Sequence, residues 1–269
     1  MPTPSAKLSE LKSILSDIGP CTVAFSGGVD STFLAKVCSE MFADQANAVT
    51  LLTPFFPELE KREAIALAEH IGIRHRFLEV PMPSDILTNP FDRCYNCKKL
   101  LFGRLQDYCR EEEIGPVVEA SNADDALDVR PGMRALKELG VRSPLQEAGL
   151  TKAEIRAFSR KLDLKTWDKP AFACLATRFP HGETLDHEKL EMVEKAEEFL
   201  RGLGVGQVRV RYLDGAAKIE TDPKQIALVA RKAAKVAAEL EKMGFKQITI
   251  DLKGYRSGAM RQVFTRRKD

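Results

Sequence analysis

Apolar residues in the first two thirds of the chain fall into two alternating patterns: short continuous runs, and longer stretches at helical spacing. Over residues 5–18, Leu8, Leu11, Leu15 and Ile18 share one helical face. A buried strand is predicted at 21–25, then a helix at 33–43, a strand at 47–53 and a helix at 57–72 ended by Gly72. Strand 75–80, helix 98–113, strand 116–121 and helix 151–162 continue the series. This β-α-β-α-β-α-β order predicts an α/β fold whose parallel sheet is covered by helices on both faces.

The pattern changes after residue 181. A long amphipathic helix is expected at 186–204. Alternation over 207–221 about Asp214-Gly215 signals a hairpin. A helix at 223–244, opened by proline and closed by glycine, and a strand at 247–252 complete a small α+β domain. The expected division is 1–180 and 181–269.

The 269 residues carry 41 Lys and Arg against 39 Asp and Glu, a formal net charge of +2, and 44% are apolar. Such a chain buries a full core and is not a disordered tail. Its balanced charge argues against a strongly electrostatic nucleic-acid binder, though not against a local basic patch. No stretch approaches the ~20 apolar residues of a membrane span. Residues Met1 to Glu10 lack the apolar segment of a signal peptide. A cytoplasmic protein is expected.

The sequence SGGVDS, Ser26 to Ser31, joins the first strand to the next helix. Two glycines allow a tight turn and close approach to a ligand, and free N–H groups at a helix start favour anions. Ser26, Ser31 and Thr32 add hydroxyls. The spacing and lysine of a Walker A loop are missing. A plain strand-to-helix turn also tolerates glycine, but hydroxyl residues bracketing Gly-Gly-x-Asp favour a phosphate loop.

This segment resembles the pyrophosphate loop of the PP-loop ATP pyrophosphatases. In that family ATP is cleaved between its α and β phosphates and a substrate oxygen becomes adenylated. The resemblance implies ATP beside Ser26, Gly27, Gly28, Asp30, Ser31 and Thr32, with Asp30 in the catalytic set. SNADDALDVRPG (121–132) resembles the family's second loop, which makes Asp124 and Asp125 candidates to hold substrate or Mg2+. An acidic helix start is the plainer reading of those two residues. Ser143-Pro144-Leu145 also fits the family's pattern.

Six cysteines are too few for a disulfide scaffold. Cys21 and Cys38 fall on apolar faces and read as core, and Cys109 has no assigned role. Cys94 and Cys97, in a loop DRCYNCKK leading into a helix, are spaced for one metal centre or a redox pair. A zinc ribbon would need a second close pair. The remaining partner is Cys174, in KPAFACLATRFPHG, where Arg178 would favour a thiolate. Three thiolates can hold three irons of a 4Fe-4S cluster and leave the fourth open to carry sulfide.

Taken with VRVRYLDGAAKIE (208–220) and GYRSGAM (254–260), these segments resemble the LarE family over nearly the whole chain. That family comprises PP-loop sulfur transferases of nickel-pincer nucleotide synthesis. The resemblance implies a nucleotide substrate, pyridinium-3,5-biscarboxylic acid mononucleotide, whose carboxylates become thiocarboxylates. Some members carry one cysteine at the position of Cys174 and sacrifice its sulfur. Others carry three and are similar to cluster-dependent tRNA thiolases; Cys94, Cys97 and Cys174 place this chain with them. A sulfide donor and a homo-oligomer, a hexamer built on trimeric contacts, are further implications.

Arg209 and Arg211, two apart on one strand face, suit a phosphate. The family's anion site lies here, with Arg256 a further candidate and a solvated basic face the plainer reading. Three rivals are a tRNA thiolase, an ammonia-using PP-loop amidation enzyme and a non-enzymatic nucleotide-binding module. Balanced charge weighs against the first, the three cysteines against the second, and Asp124 and Asp125 behind the phosphate loop against the third.

Overall fold

The computed structural model describes residues 2–127, 131–170 and 173–256. In chain order the elements are α1 (Pro4–Ile18), β1 (Thr22–Ala24), α2 (Val29–Phe42), β2 (Asn47–Leu52), α3 (Glu58–Ile71), β3 (Arg74–Glu79), α4 (Ser84–Leu87), α5 (Arg93–Glu111), β4 (Val117–Val118), α6 (Pro131–Glu138), α7 (Pro144–Glu147) and α8 (Lys152–Lys161). After these come α9 (His187–Gly202), β5 (Val208–Leu213), β6 (Ala216–Thr221), α10 (Ile226–Arg231), α11 (Ala233–Lys242) and β7 (Gln247–Ile250). They form two compact units, one of residues 1–82 with 92–172, the other of residues 83–91 with 173–269.

The division therefore does not fall at residue 180. Backbone and side-chain hydrogen bonds move it. Asn89 is buried and donates to the carbonyls of Phe179 and Pro180, while Gly182 and Leu185 donate to the carbonyls of Asn89 and Leu87. Residues 83–91 and 179–185 thus belong to one unit, a pairing across some 90 residues that no local pattern reveals.

In the first unit the sheet is parallel, in the order β3-β2-β1-β4. Successive residues of β4 point to opposite faces. Val118 joins Leu11, Leu15, Val23, Phe33 and Ile155 in one core, and Val117 joins Val49, Phe102, Leu105 and Leu136 in another. Both faces are thus covered, as the buried strands require. The chain runs outward through β1, β2 and β3, then returns to the far side of β1 for β4. Between the carboxyl ends of β1 and β4 lies the topological switch point, where open α/β sheets bind ligands.

Three helices depart most from expectation. Helix α2 starts at Val29, inside SGGVDS, with Gly28 as its N-cap residue. The polar Asp30, Ser31 and Thr32 hid this first turn from a hydrophobic-periodicity reading, although small polar side chains suit helix starts. Helix α5 starts at Arg93, so Cys94 and Cys97 lie in its first turns and not in a loop. The expected helix 223–244 breaks at Lys232, whose ψ of 17° leaves the helical region and whose Nζ reaches the carbonyl of Leu203 at 3.2 Å.

In the second unit the sheet order is β5-β6-β7, with β5 and β6 antiparallel and β7 parallel to β6. Asp214 and Gly215 both have positive φ, 49° and 82°, as the two-residue turn of a type I′ hairpin demands. Leu213 pairs with Ala216 across it.

Candidate active site

The phosphate loop lies at the carboxyl end of β1. Gly27 has φ +67°, a left-handed conformation, and a Cβ there would touch Ala64 at 3.7 Å. The turn closes on itself through hydroxyls: Ser26 Oγ and Ser31 Oγ are 3.1 Å apart, and the Ser26 and Gly28 N–H groups aim at Ser31 Oγ (3.3 Å) and Ser26 Oγ (3.4 Å). Asp30 Oδ1 and Thr32 Oγ1 are buried with no hydrogen-bond partner among the described residues. Buried polar atoms without partners are costly and concentrate where a ligand supplies the missing bond.

Across the switch point, the loop after β4 is folded around its own acids. Asn122 N–H donates to Asp125 Oδ2 at 3.0 Å, and Asp124 N–H to Asn122 Oδ1 at 2.9 Å. Asp124 Oδ2 also accepts from the backbone N–H of Lys152 at 2.8 Å. Asn122 Nδ2 reaches Asp30 Oδ2 at 3.5 Å, so this loop meets the phosphate loop. Beneath it, buried Glu119 accepts from Ser121 N and Oγ and from the hydroxyl of Ser143, which fixes the loop's base. Ser143 is thus a support for the second loop.

Two lysines missed in the sequence complete the cluster. Lys152, the first residue of α8, places Nζ 2.6 Å from Asp30 Oδ2. Burial raises the Asp30 pKa above the ordinary carboxylate value; Lys152 opposes the shift, and the charge of Asp125 adds to it. Lys169 donates to the carbonyl of Gly27 at 3.0 Å and to Glu60 Oε2 at 2.9 Å, and pairs with Glu63 at 2.6 Å. Thr-Lys-x-Glu opening α8, where Thr151 and Glu154 form a capping box, could have flagged Lys152. Nothing local marks Lys169.

Cys94 is exposed and Cys97 half-buried, one helical turn apart, and Arg93 donates to Cys94 Sγ at 3.8 Å. Both are free thiols of the donor type an iron–sulfur cluster takes. Cys21 and Cys38 are buried, as their apolar faces suggested, with sulfurs 3.8 Å apart. Among the described residues no group of three or more His, Cys, Asp or Glu side chains is placed to hold a metal ion. Cys174 belongs to the other unit from Cys94 and Cys97.

Cys174 is exposed and caps a single 3-10 turn, Leu175–Arg178. Arg178 does not serve its thiol, contrary to expectation. Its guanidinium is buried, paired through Nε and Nη2 with Glu197 at 2.8 and 2.9 Å, and donates Nη1 to the carbonyls of Ala173 and Cys174. Neutralised by Glu197, it holds the backbone that presents the cysteine.

Arg209 and Arg211 are buried, so the solvated-face reading fails. Arg211 is committed to Glu220 through Nε at 2.8 Å and Nη2 at 2.7 Å, with Nη1 on the carbonyl of Thr177 at 3.0 Å. Arg209 lies against the ring of Tyr255 at 5.3 Å. Burial, then the charge of Arg178, bring its pKa down to about 10. Arg256 is exposed, and residues 257–260 of the GYRSGAM segment lie outside the described residues.

A parallel sheet bearing a Gly-Gly-x-Asp loop at its switch point, beside an acid-bearing second loop, defines a PP-loop nucleotide-binding protein. A family model described as NAD synthase matches residues 14–110. The chain is 36% identical over 269 residues to the pyridinium-3,5-bisthiocarboxylic acid mononucleotide synthase of Lactiplantibacillus plantarum, covering 99% of this chain and 98% of the relative. It is 40% identical over 266 residues to an uncharacterized protein of Synechocystis, covering 97% and 99%. It is also 30% identical over 235 residues to an uncharacterized protein of Methanocaldococcus jannaschii, covering 87% and 90%. The chain belongs to the LarE family of ATP-dependent sulfurtransferases. Among the described residues no helix is long and apolar enough to cross a membrane.

Proposed function

We propose that this protein uses ATP and Mg2+ to convert carboxylates of pyridinium-3,5-biscarboxylic acid mononucleotide into thiocarboxylates for the nickel-pincer cofactor of lactate racemase. The observation that carries this reading is the full-length similarity to the synthase that bears the product's name. A carboxylate oxygen attacks the α phosphate of ATP and pyrophosphate leaves. Sulfur then attacks the acyl carbon, and AMP departs as a far better leaving group than oxide. The loop N–H groups, Ser26, Ser31 and Thr32 would receive the pyrophosphate, Asp30 acts beside them, and Asp124 and Asp125 are the carboxylates that would help hold substrate or Mg2+.

Cys94, Cys97 and Cys174 are the residues to hold a 4Fe-4S cluster, which would supply the transferable sulfide when bound. A second reading, sacrifice of the Cys174 sulfur itself, is favoured by that residue's exposure on a separately held turn. The second unit recognises the substrate and its neighbouring subunits. There a phosphate monoester would offset the positive charge of buried Arg209, with Arg211 two residues along the same strand and the exposed Arg256 as further candidates. The protein works in the cytoplasm on a small nucleotide, fed by a sulfide donor.

The test is incubation of anaerobically reconstituted protein with the pyridinium dicarboxylate mononucleotide, Mg-ATP and sulfide. Thioacid, AMP and pyrophosphate are the expected products; absence of thioacid ends the proposal. Mass spectrometry of the polypeptide after turnover separates the two sulfur sources, since sacrifice removes one sulfur from the chain.

A further inference from the structure

Lys169 is a cation beside a phosphate loop, yet its surroundings are wrong for a phosphate ligand. Its side chain is only 12% exposed, and two carboxylates, Glu60 and Glu63, already neutralise it. It also donates to the carbonyl of Gly27, the loop residue with φ +67°. A peptide unit is planar, and its C=O and the next N–H point in opposite directions. Anchoring the Gly27 carbonyl on Lys169 therefore turns the Gly28 N–H the other way, where it aims at Ser26 Oγ on the hydroxyl-lined side of the loop.

Lys169 is itself fixed. Arg156 of α8 donates Nη2 to the Lys169 carbonyl at 2.8 Å and Nη1 to the Trp167 carbonyl at 2.6 Å, and Lys169 N–H closes a turn on Thr166. Arg156 lies one helical turn beyond Lys152, the partner of Asp30, so α8 braces the loop at two points. Glu60, nearly buried in the first turn of α3, completes the brace from the other side.

We propose that Lys169 is a positioning residue, a lock on the Gly27–Gly28 peptide. Held by Glu60, it keeps the loop N–H groups pre-organised for the nucleotide phosphates without touching them. This rests on nucleotide binding at the loop, not on the thiolation step. An interaction that only pre-organises a site acts on ground state and transition state alike, so its loss raises KM and leaves kcat nearly unchanged.

The experiment measures binding of α,β-methylene-ATP by calorimetry to the full chain and to Lys169→Met, Lys169→Arg and Glu60→Gln, with a thermal melt of each and steady-state pyrophosphate release. Lys169→Met is expected to weaken binding and raise KM for ATP about tenfold, with kcat within about threefold of wild type. Lys169→Arg, which keeps a donor for the carbonyl, should recover most of that loss. Glu60→Gln should weaken binding in the same direction, because it loosens the lock. A direct phosphate contact predicts the reverse for Glu60→Gln, since a released cation would bind more tightly. Tighter binding by Glu60→Gln, or unchanged binding by a folded Lys169→Met, overturns the lock. Wild-type protein that fails to bind the analogue removes the nucleotide assignment and the lock together, whereas missing thioacid alone leaves both standing.

Discussion

Lys152 and Asp30 meet at 2.6 Å, although 122 residues separate them. The contact joins the first residue of α8 to the first turn of α2, and Asn122 reaches the same carboxylate oxygen. Three chain segments thus converge on one acid at the sheet's switch point. Asp30→Ala and Ser26→Ala should each abolish ATP-dependent release of AMP and pyrophosphate, as followed by chromatography of the nucleotides. Normal pyrophosphate production by either variant would remove that residue from the site.

The half-buried Asp30 carboxylate also sets a dependence on pH. Its folded-state pKa lies above the unfolded value, so the native state favours the protonated acid. The stability this group contributes is full below the unfolded pKa and is lost as pH rises through the folded value. Asp30→Asn, which mimics the protonated acid, should melt above wild type at pH 7 while inactive. The gap should shrink as pH falls toward 4. A melting curve series with an unchanging gap would refute the assignment.

Gly27 needs its positive φ. Gly27→Ala forces a Cβ into the left-handed region at a cost of roughly 1–2 kcal/mol, or else flips the peptide that Lys169 holds. Chemical denaturation should show a loss of that size, accompanied by weaker ATP binding.

The ion pair of Arg178 with Glu197 is almost wholly buried, each side chain being 1% exposed. Glu197→Ala would leave a buried guanidinium unpaired, a loss of about 3–5 kcal/mol. Urea unfolding of the variant should show it, and the Cys174 turn should become a preferred site of proteolysis. An unaltered midpoint would contradict the pair's role in holding that turn.

Cys94→Ala and Cys97→Ala should end multiple turnover if a three-cysteine cluster delivers the sulfur, read as moles of thioacid per mole of protein. Retained turnover in both, with loss in Cys174→Ala, would instead select the sacrificial route.

Much of this molecule was legible in one dimension. Alternation of apolar runs with helical stretches gave the parallel sheet, because buried strands and amphipathic helices have different periods. The Asp214-Gly215 turn followed from the positive φ that such a hairpin requires. SGGVDS marked the tight turn from β1 into α2, since glycine supplies the positive φ there and the hydroxyls close the turn. The helix starts at Val29 and Arg93 leave no mark in the hydrophobic pattern, because polar first turns carry no hydrophobic period.

Tertiary structure alone decided the rest. That Lys169 holds the Gly27 carbonyl, that Arg178 answers Glu197 and not the neighbouring thiol, and that Arg211 is spent on Glu220 are all contacts between chain segments. So is the pairing of residues 83–91 with 179–185. Local pattern reports what a residue can do within a few neighbours along the chain. A buried charge must find its partner wherever folding brings one, and the cost of leaving it unpaired, not its sequence context, chooses that partner.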